Sequence, residues 1–559
     1  MFKKTLKIAK QLIKNRNFEK NQEANNGIVS RENFRVLLAY PNLSMMLTPS
    51  YAIGLWTAIL KKEKYNVDLF DCTSYMPNYE FVGKSEDESV KASLEKSGTA
   101  TRANKLMASR KFDPIKLFGE PKKDLMGDFR QKIEEFNPHV VIISTLVEDT
   151  WPQAKDLMGI LKDYPNIKSI IGGVFPTMAP EEVISDPNVI CIAEGEGEAT
   201  IPEFCEAVRN LKSTLDIKGT RAKDENGKII CNPPRSLANI NEVIPDFSLF
   251  DERRFLRPLG AKIWKAMPIE TYRGCPYKCA FCNSPTQVFI AKQKKQGRYT
   301  RRKTIETLRR EIQSMVDNYN PNFLYINDDA FMARPTKEIE AFAKMYEDFK
   351  LPFWCQTRFE DVNIDKMSCL TEVGLYRMSF GLEHGNEDFR REKLFRNIKN
   401  KTILEKSEIL GDFNLSYSMN IIIGMPYETR ELVFDTIRLA RDIKTFDSLA
   451  VNIFAPYRGT SLRKSAIKEG WLDPEAQSTS FIGKSILRMP KPYLQPDEML
   501  GLQRVFPLYV TMDKTLYPDI QKAEIFNDEG NNIFEKLSEK YYNDKYGTTS
   551  AERMLTYAG

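Results

Sequence analysis

Cys275, Cys279 and Cys282 stand on one short segment, Gly274-Cys275-Pro276-Tyr277-Lys278-Cys279-Ala280-Phe281-Cys282, with the spacing C-x3-C-x2-C. Three thiolates on one loop hold three irons of a four-iron cluster and leave the fourth iron open to a substrate or cofactor. Zinc is the rival. A closed structural zinc site takes four ligands, and no fourth cysteine or histidine lies nearby. Cys355 and Cys369 are distant in sequence and stand in strand and helix patterns, where a thiol packs as a small apolar group. The spacing therefore points to an iron–sulfur cluster, with zinc and a chance grouping as the alternatives.

Such a loop needs a scaffold. Downstream of it, apolar runs at 323–329, 353–357, 376–381, 416–424 and 449–454 read as strands, and helical patterns separate them. With the strand ahead of Cys275 they make about six β/α units, an incomplete (β/α)6 barrel, whose active site belongs at the carboxyl ends of the strands. Upstream, runs at 34–40, 67–72, 140–145, 169–172 and 189–193 predict a doubly wound, Rossmann-like parallel sheet covered on both faces. Ligands of such sheets also sit at the carboxyl ends. Gly172, Gly173, Glu194, Gly195 and Gly197 fall there and are candidate cofactor-binding residues, because glycine lets a backbone approach a large flat ligand or its phosphate tail. The alternative is that they only make turns.

Composition narrows the class. Of 559 residues, 42% are hydrophobic and 28% charged, which suits a globular chain with real cores and rules out a disordered or fibrous one. The net charge of +6 is slight for this length and gives no argument for nucleic acid. No apolar run is long enough for a membrane span. Nine cysteines are too sparse for a disulfide scaffold and, without a secretory signal, predict a cytoplasmic protein with free thiols. Residues 1–20 carry seven cations and one acid on a helical apolar pattern. They read as a basic amphipathic helix, either packed on the protein or making weak contact with an anionic membrane surface. The resulting division is 1–33 basic helix and linker, 34–210 sheet domain with a helical insertion at 81–130, 211–264 linker, 265–465 barrel, and 466–559 a small, mostly helical domain.

The cysteine loop, with Phe281 before its last cysteine, resembles the signature of the radical S-adenosylmethionine (SAM) superfamily. The resemblance continues through Asn327-Asp328-Asp329, Gly381-Leu382-Glu383-His384-Gly385, Gly424-Met425-Pro426-Tyr427-Glu428-Thr429 and Phe454-Ala455-Pro456-Tyr457-Arg458-Gly459-Thr460. The upstream sheet is similar to the cobalamin-binding domain fused to many such enzymes. The resemblance implies that Cys275, Cys279 and Cys282 ligate a [4Fe-4S] cluster whose open iron chelates SAM. It implies that one electron from the cluster cleaves SAM to methionine and a 5′-deoxyadenosyl radical. Asp328 would meet the methionyl amine, Glu383 the ribose and Arg396, in the helix after it, the carboxylate of SAM. Asp328 and Asp329 also read as a helix N-cap, Glu383 as a structural ion pair and Arg396 as a solvated helix charge. Many cobalamin domains carry Asp-x-His-x-x-Gly. This chain has only two histidines, His139 and His384, and neither stands in that pattern, so cobalamin is expected to lack a histidine ligand from the sheet.

Three functions follow from the resemblance: methyl transfer to an unactivated carbon, another radical outcome such as cyclisation or rearrangement, and a non-enzymatic cobalamin or redox-sensing module. The substrate is expected to be a small or lipid-like molecule, with flavodoxin or ferredoxin as electron donor.

Overall fold

A computed structural model of the protein describes residues 28–43, 48–75, 117–120, 122–260, 262–478, 484–548 and 556–558. The basic helix expected at 1–20, and with it the membrane contact, lies outside these residues, as does most of the 81–130 insertion.

The first sheet is built on β1 (Arg35–Tyr40), β2 (Asn66–Asp71), β3 (Val140–Ser144), β4 (Lys168–Gly172) and β5 (Cys191–Ala193), all parallel, in the order β2-β1-β3-β4-β5. Every residue of β3, Val-Val-Ile-Ile-Ser, is buried, which is why the sequence of this strand runs apolar without alternation. Its two faces still divide by period two. Val36, Leu38 and Ile142 join a core continuous with that of the barrel. Leu37, Ala39, Val141 and Ile143 pack on the other side under Phe129 and Leu157. The order reverses between β1 and β3, and in open α/β sheets the crevice at that reversal is where ligands bind.

The stretch 211–264, expected as a linker, extends this sheet. β6 (Thr220–Lys223) and β7 (Ile229–Cys231) add to β5 as an antiparallel edge. They are short, and β7 is largely exposed, so neither carries the apolar run that announces a strand. β8 (Leu256–Leu259) then forms a hairpin with β9 (Lys262–Ile269), the first barrel strand, and β10 (Tyr272–Arg273) pairs with β11 (Arg301–Arg302) across the cysteine loop.

The barrel strands β9, β12 (Phe323–Ile326), β13 (Phe353–Thr357), β14 (Leu375–Glu383), β15 (Ser416–Ile423) and β16 (Ser448–Ile453) are parallel neighbours in chain order. These are the six expected β/α units, and β17 (Thr556–Tyr557) adds beside β9. β15 and β16 alternate between buried and half-buried positions. One face packs under helices, and the other faces a lumen that an incomplete barrel leaves accessible. The edge strand β16 is covered by the helix Pro496–Thr511, whose Gln503 donates from Nε2 to the Val451 carbonyl at 3.0 Å. The C-terminal region is helical, as expected, and this part of it closes a sheet edge. Among the described residues no helix is long and apolar enough to cross a membrane.

Candidate functional site

The cysteine loop is fastened at both ends. At its start, Asp328 at the end of β12 accepts from the backbone N–H of Thr271 at 2.7 Å and of Tyr272 at 3.0 Å, and from the Thr271 hydroxyl. Arg334 completes the set, donating to Asp328 Oδ2 at 2.7 Å and to Thr271 Oγ1 at 2.8 Å. Asp328 is thus neither exposed to a ligand nor a helix N-cap; its carboxylate ties β12 to the loop. In the middle, Ala280 donates to the Leu394 carbonyl and accepts from the Leu462 N–H. Gly274 holds φ +91°, and a Cβ there would press on the Tyr299 ring at 2.8 Å.

All three cysteines are half-buried and free of disulfides. Cys282 Sγ accepts from the Ser284 N–H at 3.4 Å, and Arg358 Nη1 points at Cys279 Sγ from 3.8 Å. Burial pushes the Cys275 and Cys282 thiols up to about 12. Thiolates form there only against strong positive charge, which bound iron supplies. Among the described residues, no three His, Cys, Asp or Glu side chains converge on one ion position. The three thiols stand on one half-buried loop, with no fourth cysteine or histidine beside them in the sequence to close a structural zinc site.

Asp329, the neighbour of Asp328, is the carboxylate that faces the loop, with Ser284 Oγ 3.4 Å from its Oδ2. Burial, with the adjacent Asp328 carboxylate, raises it to about 6. Across the barrel, β14 ends in a register irregularity between Gly381 and Glu383, and Glu383 takes φ +62°. A non-glycine residue in that region marks strain retained for a purpose. The bulge turns the carboxylate back over Gly381 and against Arg396, whose Nη1 lies 3.4 Å from Glu383 Oε1 while Nη2 donates to the Gly381 carbonyl at 2.6 Å. Burial raises the Glu383 carboxyl. Arg396 is not in a helix. The helix Glu387–Glu392 stops short of it, Phe395 takes φ +55°, and Arg396 lies on the following loop, buried and with its Nε unpartnered.

At the sheet edge, Gly173 holds φ +120° and ψ −171°, and a Cβ on it would run into the Thr145 carbonyl oxygen. A Cβ at Gly197 would lie 2.8 Å from the Trp56 indole nitrogen. A cavity of about 250 Å³ opens beside them, lined by Trp56, Gly173, Gly195 and Gly197 among others. Glu194 lines the same cavity, but its carboxylate is engaged by Arg221 and by Lys294 at 2.6 Å. Glu196 meets Arg273 at 3.0 Å and Arg301 at 2.9 Å, and Glu198 meets Arg273 at 2.6 Å. The Glu194–Glu198 loop of the sheet is therefore bolted by ion pairs to Arg273, two residues ahead of Cys275, and to Lys294, just past the helix Ser284–Gln293 that follows the cysteines. Sequence reasoning read this loop as ligand-binding and missed its basic partners, which lie 27 to 105 residues away.

A second cavity, about 380 Å³, lies where the two units face each other. Leu146 and Val174 line it from the sheet, Phe281 and Cys282 from the cysteine loop, and Ile422 and Asn452 from the half-buried face of β15 and β16. The sheet's carboxyl edge and the cysteine loop thus open on one shared space.

The radical SAM superfamily model matches residues 269–440 and the B12 binding domain model residues 112–205. The chain carries a B12-binding domain followed by a radical SAM domain. An uncharacterized methyltransferase of Pyrococcus horikoshii is 27% identical over 369 residues, 64% of this chain and 76% of that one. The anaerobic magnesium-protoporphyrin IX monomethyl ester cyclase of Rubrivivax gelatinosus is 24% identical over 332 residues, 57% of each chain. The structure of the cobalamin-dependent SAM radical enzyme OxsB, with aqua-cobalamin and SAM bound, shares the fold at a TM-score of 0.58 and 13% identity, over 92% of this chain and 73% of that one. With these two domains, the cofactors are a [4Fe-4S] cluster, SAM and cobalamin. The half-buried thiols, Cys282 lining one cavity, and the glycine edge, lining the other, suit these groups.

Neither histidine reaches the sheet's carboxyl edge. His139 stands before β3, at the opposite end, stacked on Phe34 and accepting from the Arg35 N–H at 3.0 Å. His384 is wholly buried in the barrel against Phe389. The cob(II)alamin form of the loaded protein should accordingly show no nitrogen hyperfine splitting from a protein imidazole in electron paramagnetic resonance. Splitting that disappears on changing His139 or His384 would contradict the placement of both rings.

Proposed function

We propose that this enzyme methylates an unactivated carbon of a small, largely apolar substrate held in the 380 Å³ cavity between sheet and barrel. The observation that carries the reading is the shared lining: Cys282 and Phe281 on one side, Leu146 and Val174 on the other. A carbon held there faces both cofactor platforms. When bound, the cluster supplies the electron that opens SAM, and cobalamin supplies a transferable methyl group.

The chain's own residues bind, orient and exclude water. Cys275, Cys279 and Cys282 hold the cluster. Asp329 takes the place expected for Asp328 and receives the methionyl ammonium, whose charge favours ionisation of a carboxyl that burial has raised. Glu383 reaches the ribose, and Arg396, anchored on the Gly381 carbonyl, faces the SAM carboxylate. Gly172, Gly173, Gly195 and Gly197 give the corrin and its tail close access to the backbone. Glu194 acts on the interface between the units rather than on cobalamin. The six apolar or half-buried lining positions keep water from a reactive carbon radical. A flavodoxin or ferredoxin delivers the electron, and the reducing cytoplasm suits a chain whose nine cysteines are all free.

Methyl-labelled SAM tests this. With the true substrate and a strong reductant, 5′-deoxyadenosine and S-adenosylhomocysteine should form in about equal amounts, with label in the product. One SAM is spent on hydrogen abstraction and one as methyl source in each cycle. The cyclase relative supports a second outcome, ring closure or rearrangement on the same cofactors. Altered product with 5′-deoxyadenosine alone, and neither label nor S-adenosylhomocysteine, would select it.

A further inference from the structure

The apolar cavity carries one polar feature that the functional reading leaves unused. Tyr457, on the loop after β16, lines it, and its hydroxyl donates to Asp149 Oδ2 at 2.9 Å. Asp149 stands 308 residues earlier, just beyond the carboxyl end of β3, and is 3% exposed. Its other oxygen, Oδ1, has no partner. A buried carboxylate oxygen left bare costs free energy, so the pair is retained for a reason other than packing.

The direction of the hydrogen bond decides what the cavity recognises. A phenol has one proton, and burial holds the Tyr457 hydroxyl well above its ordinary range, so that proton stays in place and is committed to Asp149. What Tyr457 offers a ligand is lone pairs. Glu148, 2% exposed, is the carboxylate that lines this wall, anchored on the Ser478 and Arg458 N–H groups. The cation lining the cavity among the described residues, Arg458, is spent: Nε and Nη2 pair with Glu182 at 2.6 Å, and Nη1 donates to the Pro474 carbonyl at 2.6 Å. The other polar lining groups are the neutral amides of Asn283 and Asn452 and the Cys282 thiol. On this wall an anionic headgroup therefore meets the Glu148 carboxylate and a Tyr457 hydroxyl whose proton is committed to Asp149, with no available cation.

Resting on the cavity being the substrate site, we propose that Tyr457, held by Asp149, is a specificity-determining acceptor, and that the substrate is an apolar molecule bringing a hydroxyl or N–H to it, not a carboxylate or phosphate. The carboxamides of the corrin carry the same N–H chemistry, and the experiment separates the two sources. Full-length protein loaded with cluster and cobalamin is titrated at pH 8 with 1-octanol, its methyl ether and octanoate, with binding read by calorimetry. Burial raises the Asp149 carboxyl to about 7, so at pH 8 it is an acceptor. The alcohol should bind about fivefold more tightly than the ether, the scale of one net hydrogen bond, and octanoate should bind most weakly. Tyr457→Phe should erase the preference for alcohol over ether and leave bound cobalamin unchanged. Ala455→Trp, which fills the cavity, should weaken all three probes. If Ala455→Trp weakens them but Tyr457→Phe leaves the alcohol–ether ratio intact, the acceptor role is wrong while the cavity stands. If Ala455→Trp has no effect, the cavity is not the binding site, and the functional reading fails with the inference. Loss of cobalamin from Tyr457→Phe assigns the acceptor to the corrin and overturns the proposal.

Discussion

Replacing Cys275, Cys279 and Cys282 together by Ala should give a folded protein with no cluster and no SAM cleavage at all. The loss is total because no other thiol stands in the loop and the open iron exists only if three sulfurs fill the other corners. Folding should survive because the loop's other anchors do not involve sulfur. Asp328 still receives Thr271, Tyr272 and Arg334, and Ala280 still bridges Leu394 and Leu462. Iron and sulfide content, with 5′-deoxyadenosine formation under strong reductant, gives the reading. A triple variant that kept its full iron and sulfide would sink the assignment.

The second large effect is expected at the sheet. Gly173→Ala should lower bound cobalamin at least tenfold while iron and sulfide stay at wild-type content. The conformation at φ +120° and ψ −171° is one that only glycine occupies without strain, at about 1–3 kcal/mol for any other residue. The new methyl group would also meet the Thr145 carbonyl oxygen. A backbone atom cannot rotate away as a side chain does, so the turn after β4 must shift, and the crevice between β1 and β3 shifts with it. The cluster, held by a different loop, reports whether the rest of the chain is intact. Full cobalamin retention in this variant would mean that the glycine edge does not contact the cofactor.

Much of this was legible in the chain itself. Continuous apolar runs marked β1 to β5 because both faces of that sheet are covered, and the barrel strands because each precedes a helix of period 3.6. The cysteine spacing marked the loop, since local chemistry needs only local sequence. What escaped notice depends on partners far along the chain. Asp328 and Asp329 are adjacent and chemically alike, and only the approach of Thr271 and Arg334 separates the tether from the residue that faces the loop. Arg396 looked helical because the pattern around it is polar and charged; the left-handed backbone at Phe395 has no strong signature in a non-glycine residue. β6 and β7 bury too little to show an apolar run. Tyr457 lay inside a recognised motif, but its meaning comes from Asp149 in the other domain.

The bolting of Glu196 and Glu198 to Arg273 and Arg301 bears on how this protein can change over generations. A carboxylate in that junction stripped of its guanidinium is worth a penalty of a few kcal/mol, on the order of the margin that keeps a domain folded. Neither side can therefore drift alone. Across an alignment of full-length relatives, the acids at 196 and 198 and the base at 273 should appear or vanish as a set. A chimera that grafts a foreign corrinoid module onto this barrel should work only when the acidic loop travels with it.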